Sequence, residues 1–183
     1  MEAREIARDD RVVLREFVDG DIGDLLAVLG DPEVMRYSTS GAVTITECRE
    51  FVVANRIESA RTGLGAWVVG AADDPTLLGY CRLRSEAETE WIGEGEIEIG
   101  YRLARRAWGH GYATAAAALA RDLAFERHGA ATLIAVIDPA NEASVAVAAR
   151  LGMTPARELM LPEYDHPDIV HELTVEAWRE LSR

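Results

Sequence analysis

Two arginines and two glycines lie close together in the middle of the chain, at Arg105, Arg106, Gly109 and Gly111. Guanidinium groups bind phosphate oxygens through paired, charge-assisted hydrogen bonds. Glycine has no Cβ, so the main chain at Gly109 and Gly111 can turn sharply and approach a ligand closely. The spacing of apolar residues over 112–127 predicts a helix directly after this loop. Because a helix N-terminus offers free N–H groups and a positive dipole end, the segment predicts a pyrophosphate site.

The residues before the loop predict a strand that leads into it. Apolar side chains alternate with polar residues or glycine, which is the period of a strand with one face on a core. The apolar set is Ile97, Ile99, Tyr101 and Leu103, and the alternating set is Glu96, Glu98, Gly100 and Arg102. The chain is therefore expected to be organised around a strand, a glycine loop and a helix.

Residue types exclude two other phosphate-binding motifs. The dinucleotide-binding fingerprint requires a third glycine, and this chain has Thr114 at that position. The phosphate loop of nucleotide triphosphatases requires Gly-Lys-Ser/Thr, and the sequence contains no lysine. The lack of lysine also excludes Schiff-base chemistry and a nucleotide hydrolase of that type.

The remaining motif, Arg106-x-x-Gly109-x-Gly111 followed by Tyr112-Ala113-Thr114, resembles the acyl-coenzyme A loop of the GCN5-related N-acetyltransferases (GNAT). Further matches follow in order: a predicted strand over 131–137, Asn141-x-x-Ser144 opening a helix, and Arg150-Leu151-Gly152-Met153 closing it. The resemblance covers residues 12–178, and three motifs in the right order are far more specific than the loop alone.

The opening of the chain also fits one subgroup of that family. Leu14-Arg15-Glu16-Phe17, a short helix and then Asp31-Pro32-Glu33-Val34-Met35 look like the start of the enzymes that acetylate ribosomal-protein amino termini, and of their relatives acting on other amines. Homodimers are common in this subgroup, so the resemblance implies a homodimer here.

The resemblance implies an α/β GNAT fold: a single mixed, mostly antiparallel sheet with splayed central strands, flanked by helices. One domain is expected to cover residues 1–183, with residues 1–10 as a charged lead-in that frays. Hydrophobic periodicity predicts helices over 21–29 and 46–61, a helix opened by Asn141 with Val145, Ala148 and Ala149 on its inner face, and a short tail helix at Trp178. Predicted strands cover 12–17, 66–69, 77–83, 131–137, 154–161 and 169–175.

The resemblance also implies acetyl-coenzyme A as co-substrate. Main-chain groups of Tyr101 and Leu103 are expected to pair with its pantetheine amides like an added strand. Asn141 and Ser144 are expected to meet the same arm, and Arg150 to reach the nucleotide phosphates. The pyrophosphate is assigned to the loop residues Arg105, Arg106, Gly109, His110, Gly111, Tyr112, Ala113 and Thr114.

Acetyl transfer to an amine needs a base for the amine and a proton for the departing thiolate. Glu98, acting directly or through water, is the first candidate for the base, and Glu96 on the same strand face is the second. If both were buried, repulsion between their charges would raise one pKa. The candidates to protonate the thiolate are Ser144 and Tyr164, which lies in the loop before the last predicted strand.

The acceptor-binding residues are less defined. In the resembled family the region after residue 34 forms one wall of the acceptor cleft, so Met35, Arg36 and Tyr37 are candidate substrate contacts. The acidic stretch 85–95 contains Trp91, which either closes over the site as a lid or folds onto the body of the protein. The acidic residues of this stretch favour a cationic acceptor.

Composition narrows the cellular context. The chain has 183 residues, 49% of them hydrophobic, and a formal net charge of −13, so we expect no nucleic-acid partner, because phosphates would be repelled. Cys48 and Cys81 form no Cys-x-x-Cys pair and have no neighbouring histidine, so no metal is expected. No apolar run is long enough for a membrane span, and the amino terminus is too charged for a signal peptide, so a cytoplasmic location without membrane contact is expected.

Two functions are compatible with these residues. The first is transfer of an acetyl group from acetyl-coenzyme A to a primary amine, on a protein amino terminus or on a small molecule. The second is an acyl-coenzyme A binding module of the same fold that senses the ligand or binds a partner without catalysis. The loop motif suits both, while Glu98 and Ser144 favour catalysis.

Overall fold

The computed structural model describes residues 3–85, 87, 89–162 and 165–181. In chain order the strands and helices are β1 Glu5–Arg8, β2 Val12–Arg15, α1 Ile22–Leu29, α2 Ile45–Thr62, β3 Gly65–Ala71, β4 Gly79–Ser85, β5 Glu96–Leu103, α3 Tyr112–Glu126, β6 Thr132–Ile137, α4 Glu142–Arg150, β7 Thr154–Leu159, β8 Asp168–Thr174 and α5 Val175–Leu181. Short 3-10 turns lie at Asp19–Asp21 and Arg105–Ala107. In the described part of the chain, no helix combines the length and the apolar content that a membrane crossing requires.

The strands form one mixed sheet of eight strands in the order β1-β2-β3-β4-β5-β6-β8-β7. Strands β5 and β6 are parallel, whereas β1–β2, β2–β3, β6–β8 and β7–β8 are antiparallel. The β5–β6 ladder runs only from the Glu96–Thr132 pair to the Glu98–Ile134 pair, although β5 continues to Leu103 and β6 to Ile137. The predicted mixed, mostly antiparallel sheet is confirmed, and this short ladder agrees with parted central strands.

The residue contacts group the chain into two compact units. One comprises Met1–Arg82 and Tyr101–Leu119, and the other Leu83–Gly100 and Ala120–Arg183. The unit boundaries fall inside β4, β5 and α3, and a single domain stays a prediction from the sequence. The core of the first unit includes Leu25, Val28, Val52, Val68 and Tyr80. In the second unit, a smaller cluster is formed by Ile92, Ile134 and Val170, with Trp91, Val136 and Leu159 packed against it.

The amino-terminal segment differs from the prediction that residues 1–10 fray. Glu5–Arg8 form β1 and pair with β2, with Ala7 opposite Leu14. Arg4 adds an ion pair to Glu16 with a separation of 2.7 Å. Main-chain pairing defines this edge strand, and its two apolar residues, Ile6 and Ala7, lie between the charged Glu5 and Arg8, which is too short a pattern to predict a strand.

After α1, the Met35 N–H bonds to the Asp31 carbonyl at 3.1 Å, which closes a single helical turn across Pro32. The expected inner face of α4 is corrected at Ala149. The inner face of α4 consists of Val147 and Ala148, and Ala149 is exposed. Leu151, just past the helix, is buried as well. The buried set 147, 148 and 151 follows the three- and four-residue spacing of one helix face.

A buried ion pair fixes the connection between β2 and α1. Asp21 directly precedes α1, and its carboxylate receives two hydrogen bonds from Arg15, at 2.8 and 2.7 Å, rather than capping that helix. It also accepts the main-chain N–H of Val18 at 2.8 Å. The side chains of Arg15 and Asp21 are only 12% and 7% exposed. Little water therefore screens this pair, and each charge depends on the other.

We expect Asp21→Asn to lower the free energy of unfolding by about 3 kcal/mol, because it leaves the Arg15 guanidinium buried without its counter-charge. Urea denaturation measures this change. The matched control is Asp19→Asn, because Asp19 is 86% exposed and pairs with Arg56 on the surface. That control should change the free energy by less than about 0.5 kcal/mol. If both variants lost the same free energy of unfolding, the conclusion that Arg15 and Asp21 depend on each other as a buried ion pair would be contradicted.

Candidate functional site

The predicted glycine loop adopts the backbone geometry that requires glycine. Strand β5 ends at Leu103, the Arg105–Ala107 turn follows, and α3 begins at Tyr112. Gly109 has φ of 77° and Gly111 has φ of 79°, both in the left-handed region. A side chain at either position would strain the backbone. The chain thus takes the left-handed conformation twice within three residues and enters α3 directly.

The start of α3 exposes main-chain donors. The N–H of Ala115 bonds to the Gly111 carbonyl at 3.1 Å, which closes the first turn of the helix. The N–H groups of the preceding residues Tyr112, Ala113 and Thr114 belong to the turn that has no intrahelical acceptors. They lie at the positive end of the dipole of a 15-residue helix. This end of α3 is therefore suited to an anion.

The two arginines of the loop already make contacts within the protein. Nε of Arg105 donates to Asp31 at 2.7 Å, and its side chain is 61% exposed. The pKa of Asp31 lies below its usual value, chiefly because the Glu33 N–H bonds to its carboxylate and also because Arg105 does. Nη2 of Arg106 donates to the Leu77 carbonyl at 2.7 Å. Both arginines help to hold the loop, and each guanidinium has further N–H groups.

Arg11 is a basic residue at this loop that the sequence analysis missed. Its guanidinium donates to the His110 carbonyl, and Nη2 lies 3.1 Å from the position that a Cβ at Gly111 would take. A groove of about 420 Å³ adjoins it, lined by Asp10, Arg11, Ala71, Ala72, Asp73, His110 and Tyr112. The rings of His110 and Tyr112 stack with their centroids 5.9 Å apart. Arg11 was overlooked because it lay beside the segment expected to fray.

The end of β5 is partly committed to the loop itself. The indole N–H of Trp108 donates to the Leu103 carbonyl at 2.8 Å. Leu103 is buried and Tyr101 is half-buried. A carbonyl has two lone pairs, so the Leu103 oxygen keeps acceptor capacity. The proposed pairing of these main-chain groups with a ligand stays a prediction.

Glu98 is buried and heavily hydrogen-bonded. Nη2 of Arg84 lies 2.8 and 2.7 Å from its two carboxylate oxygens, and the Trp91 indole N–H donates to one of them at 3.1 Å. The side chains of Arg84 and Glu98 are 17% and 9% exposed. The Arg84 guanidinium also lies over the Trp91 ring, 5.5 Å from its centroid. Both oxygens of Glu98 therefore accept hydrogen bonds within the protein, and a further lone pair is left to receive a proton beside these donors.

Glu96 has a separate cationic partner. Arg157 donates to both of its oxygens at 2.9 Å, and the Gly93 N–H donates at 2.8 Å. Burial raises the pKa of Glu96, but the bonds from Arg157 and Gly93 outweigh burial and the net pKa is lowered. The expected rise of one pKa was conditional on burial of both glutamates, and Glu96 is only half-buried with a lowered pKa. Each carboxylate has its own arginine, 61 residues away for Glu96 and 14 for Glu98.

The residues predicted around α4 lie at its two ends. Asn141 caps the helix, and its side-chain oxygen accepts the Ser144 N–H at 3.2 Å. Ser144 is half-buried in the first turn, and Arg150 is exposed at the last residue of the helix. Tyr164, the other candidate proton donor, lies outside the described residues.

The predicted acceptor contacts have mixed surroundings. Met35 is 4% exposed and belongs to the core of the first unit, so packing accounts for it. Arg36 pairs with Glu33 and its guanidinium lies 4.6 Å from the centroid of the half-buried Tyr37 ring. Trp91 folds onto the second unit rather than projecting as a lid. Of the neighbouring acidic residues, Glu86 and Glu88 lie outside the described part of the chain.

Comparison with known proteins agrees with this geometry. The family model described as acetyltransferase (GNAT) domain matches residues 11–154. A Bacillus subtilis protein, YkkB, is 33% identical over 174 residues, which cover 94% of this chain and 97% of YkkB. The FsC-acetyl coenzyme A-N(2)-transacetylase of Aspergillus fumigatus is 30% identical over 166 residues, covering 84% of this chain and 69% of that enzyme.

A solved structure shows the same fold with a ligand. The aminoglycoside acetyltransferase AAC(6')-Ib in complex with coenzyme A aligns with a TM-score of 0.76, covering 94% of this chain and 99% of that one. The two sequences are 15% identical, so this likeness concerns the fold. The family model spans most of the chain and includes the glycine loop, and the chain therefore belongs to the GNAT acetyltransferase family.

Proposed function

We propose that this protein is an acetyl-coenzyme A dependent N-acetyltransferase. It transfers the acetyl group to a primary amine, on a protein amino terminus or a small molecule, by direct attack in a ternary complex. The observation that carries the proposal is the loop at the start of α3, where Gly109 and Gly111 both take positive φ. Family membership supports acetyl transfer, and the relative named as an N(2)-transacetylase supports nitrogen as the acceptor atom.

The loop fits the diphosphate of coenzyme A. A Cβ built at Gly109 meets no atom of the described residues within 4 Å, so the space beside this turn is open to a ligand. The main-chain N–H groups at the start of α3 supply donors without a charged side chain. Arg11, Arg105 and Arg106 lie at the loop, but Asp31 pairs with Arg105, and Asp10 and Asp73 line the adjoining groove. The main-chain N–H groups are therefore the principal donors to the anion.

The chemical step moves two protons. The amine nitrogen attacks the thioester carbonyl carbon, the new C–N bond forms, and the C–S bond breaks. The amine proton goes to Glu98 through a water molecule that donates to the carboxylate lone pair left beside Arg84 and Trp91. Glu96 is the weaker candidate because the bonds from Arg157 and Gly93 outweigh its burial and lower its pKa. Ser144 or Tyr164 gives a proton to the thiolate, and Asn141 positions Ser144.

How much the reaction needs a base depends on the pKa of the acceptor amine. An alkylamine has a pKa of about 10.4 and an α-amino group about 7.7 to 8.0, so the alkylamine needs assistance far more at neutral pH. A large part of the rate comes from holding amine and thioester together, which supplies effective molarities of about 10⁵ M or more.

A cytoplasmic location and a homodimer stay predictions from the sequence.

An acceptor screen tests the proposed function. Acetyl-coenzyme A is incubated with a panel of amino-terminal peptides, polyamines, aminoglycosides and amino acids, and release of free thiol is followed. The enzyme's own thiols should stay silent, because burial raises the pKa of Cys81 to about 12 and also raises that of Cys48. Turnover with at least one amine is expected. Tight coenzyme A binding without transfer to any amine would contradict the enzyme and favour the sensor.

Substitution of the loop glycines tests the diphosphate site. We expect Gly111→Ala to raise the KM for acetyl-coenzyme A about tenfold, because alanine strains a left-handed turn and displaces Arg11. Gly109→Ala should have a smaller effect, since it introduces strain without displacing a described neighbour. Gly129 is the matched control, with φ of 64° and open space around it in the described structure. Gly129→Ala should lower the stability of the protein about as much as Gly111→Ala and leave the KM for acetyl-coenzyme A unchanged. If Gly129→Ala raised this KM as much as Gly111→Ala does, the assignment of the diphosphate to the loop would be refuted.

The variant Glu98→Gln tests the proposed base. Glutamine keeps an oxygen for Arg84 but cannot take a proton, so kcat for an alkylamine should fall about 10²-fold at neutral pH. The loss for an α-amino acceptor should be under about tenfold, because more of that amine is already neutral. The exposed Glu126→Gln is the control. Equal losses for both amine classes, with folding intact by circular dichroism, would show that Glu98 has a structural role only.

A further inference from the structure

A second cluster of polar side chains lies apart from the glycine loop, within the second unit. Asp138 follows the end of β6, His166 lies between β7 and β8, and Asp168 is the first residue of β8. One oxygen or nitrogen atom from each lies within 4.8 Å of the other two. Three potential ligand atoms at this spacing can reach a single metal ion.

Asp168 is the unusual member of this cluster. The residue is only 5% exposed, and among the described residues its Oδ1 has no hydrogen-bond partner. Burial, and then the charge of Asp138, raise the pKa of Asp168. A buried carboxylate oxygen without a donor is costly, and it is normally paired or bound to a metal. One oxygen of this carboxylate lies within 4.8 Å of the ligand atoms of Asp138 and His166.

The two ring nitrogens of His166 have different acidic neighbours. Nδ1 lies 2.9 Å from the exposed Asp165 carboxylate, and Nε2 lies 3.2 Å from Oδ2 of Asp138. When the neutral ring donates from Nδ1 to Asp165, the lone pair on Nε2 points toward the Asp138 oxygen. This is the arrangement in which an outer carboxylate orients a histidine that binds a metal through its other nitrogen.

We propose that Asp138, His166 and Asp168 bind one divalent metal ion of the zinc class. Nε2 of His166 and one oxygen from each aspartate are the protein ligands, and water completes the coordination. One imidazole and two carboxylates suit Zn²⁺ better than they suit Mg²⁺, which prefers oxygen ligands alone. The two carboxylate charges balance the charge of the ion. The site does not depend on the proposed acetyl transfer, and its ligands link the end of β6 to the segment between β7 and β8.

A proton on His166 is the competing explanation. An imidazolium would donate to both Asp165 and Asp138, and hydrogen bonds to these two carboxylates do raise the pKa of His166. That proton leaves Oδ1 of Asp168 without a donor among the described residues. A metal ion satisfies all three side chains at once, so it accounts for more of the geometry.

Calorimetric titration with zinc tests the proposal. The protein is used without a histidine tag, treated with a chelator and dialysed, then titrated with ZnCl₂ and separately with MgCl₂. We expect one Zn²⁺ per chain, a rise in Tm on zinc addition, and no comparable response to Mg²⁺. Absence of zinc binding to the wild-type protein would overturn the proposal.

Three variants locate the zinc. His166→Gln, at a half-exposed position, and Asp168→Asn should each weaken zinc binding at least about tenfold and abolish the zinc-dependent rise in Tm. Without metal, Asp168→Asn should be as stable as the wild type or more stable, because it removes a buried charge. His128→Gln, a histidine outside the cluster, should bind zinc as the wild type does. Zinc affinity unchanged in both cluster variants would place the ion elsewhere and refute the site.

Discussion

Two left-handed turns, at Gly109 and Gly111, determine where α3 begins and what its first turn faces. Without them the chain leaving β5 could not reverse direction and still direct the N–H groups of residues 112–114 at a ligand. The neighbouring contacts support this turn: Arg11 bonds to the His110 carbonyl, Arg106 to the Leu77 carbonyl, and Trp108 to the Leu103 carbonyl. Side chains thus hold the loop in its conformation, and the main-chain N–H groups are left to bind the anion.

In this lysine-free chain, arginine supplies the cation in the ion pairs of Asp21, Glu96 and Glu98. Its planar group donates several hydrogen bonds in a fixed geometry, so it can hold a carboxylate through two oxygens. Arg15 does this for Asp21 and Arg157 for Glu96. The buried Arg84–Glu98 pair differs in that Trp91 joins it through a hydrogen bond and a ring contact. Glu98 is thereby placed firmly, which suits a group that must receive a proton through water at a defined position.

The elements near the loop were predictable because their signals are local. Positive φ at a glycine, alternation along β5 and the helical period of α3 each depend on a few neighbouring residues. Partner choice is not local: nothing in the sequence around Glu98 indicates Arg84, and nothing around Gly111 indicates Arg11. The strand β1 was missed because main-chain pairing, not apolar side chains, defines it. The cluster of Asp138, His166 and Asp168 was missed because its members come together only when β6 and β8 pair.

The central claim is that main-chain amides of residues 109–114 bind the diphosphate of coenzyme A. The most direct measurement is a titration of ¹⁵N-labelled protein with coenzyme A and, in parallel, with pantetheine, which lacks the diphosphate. The account predicts that coenzyme A produces large amide shifts at Gly109 through Thr114, and that pantetheine leaves these amides nearly unchanged. Saturating coenzyme A that shifts amides elsewhere and leaves this loop unmoved would contradict the account.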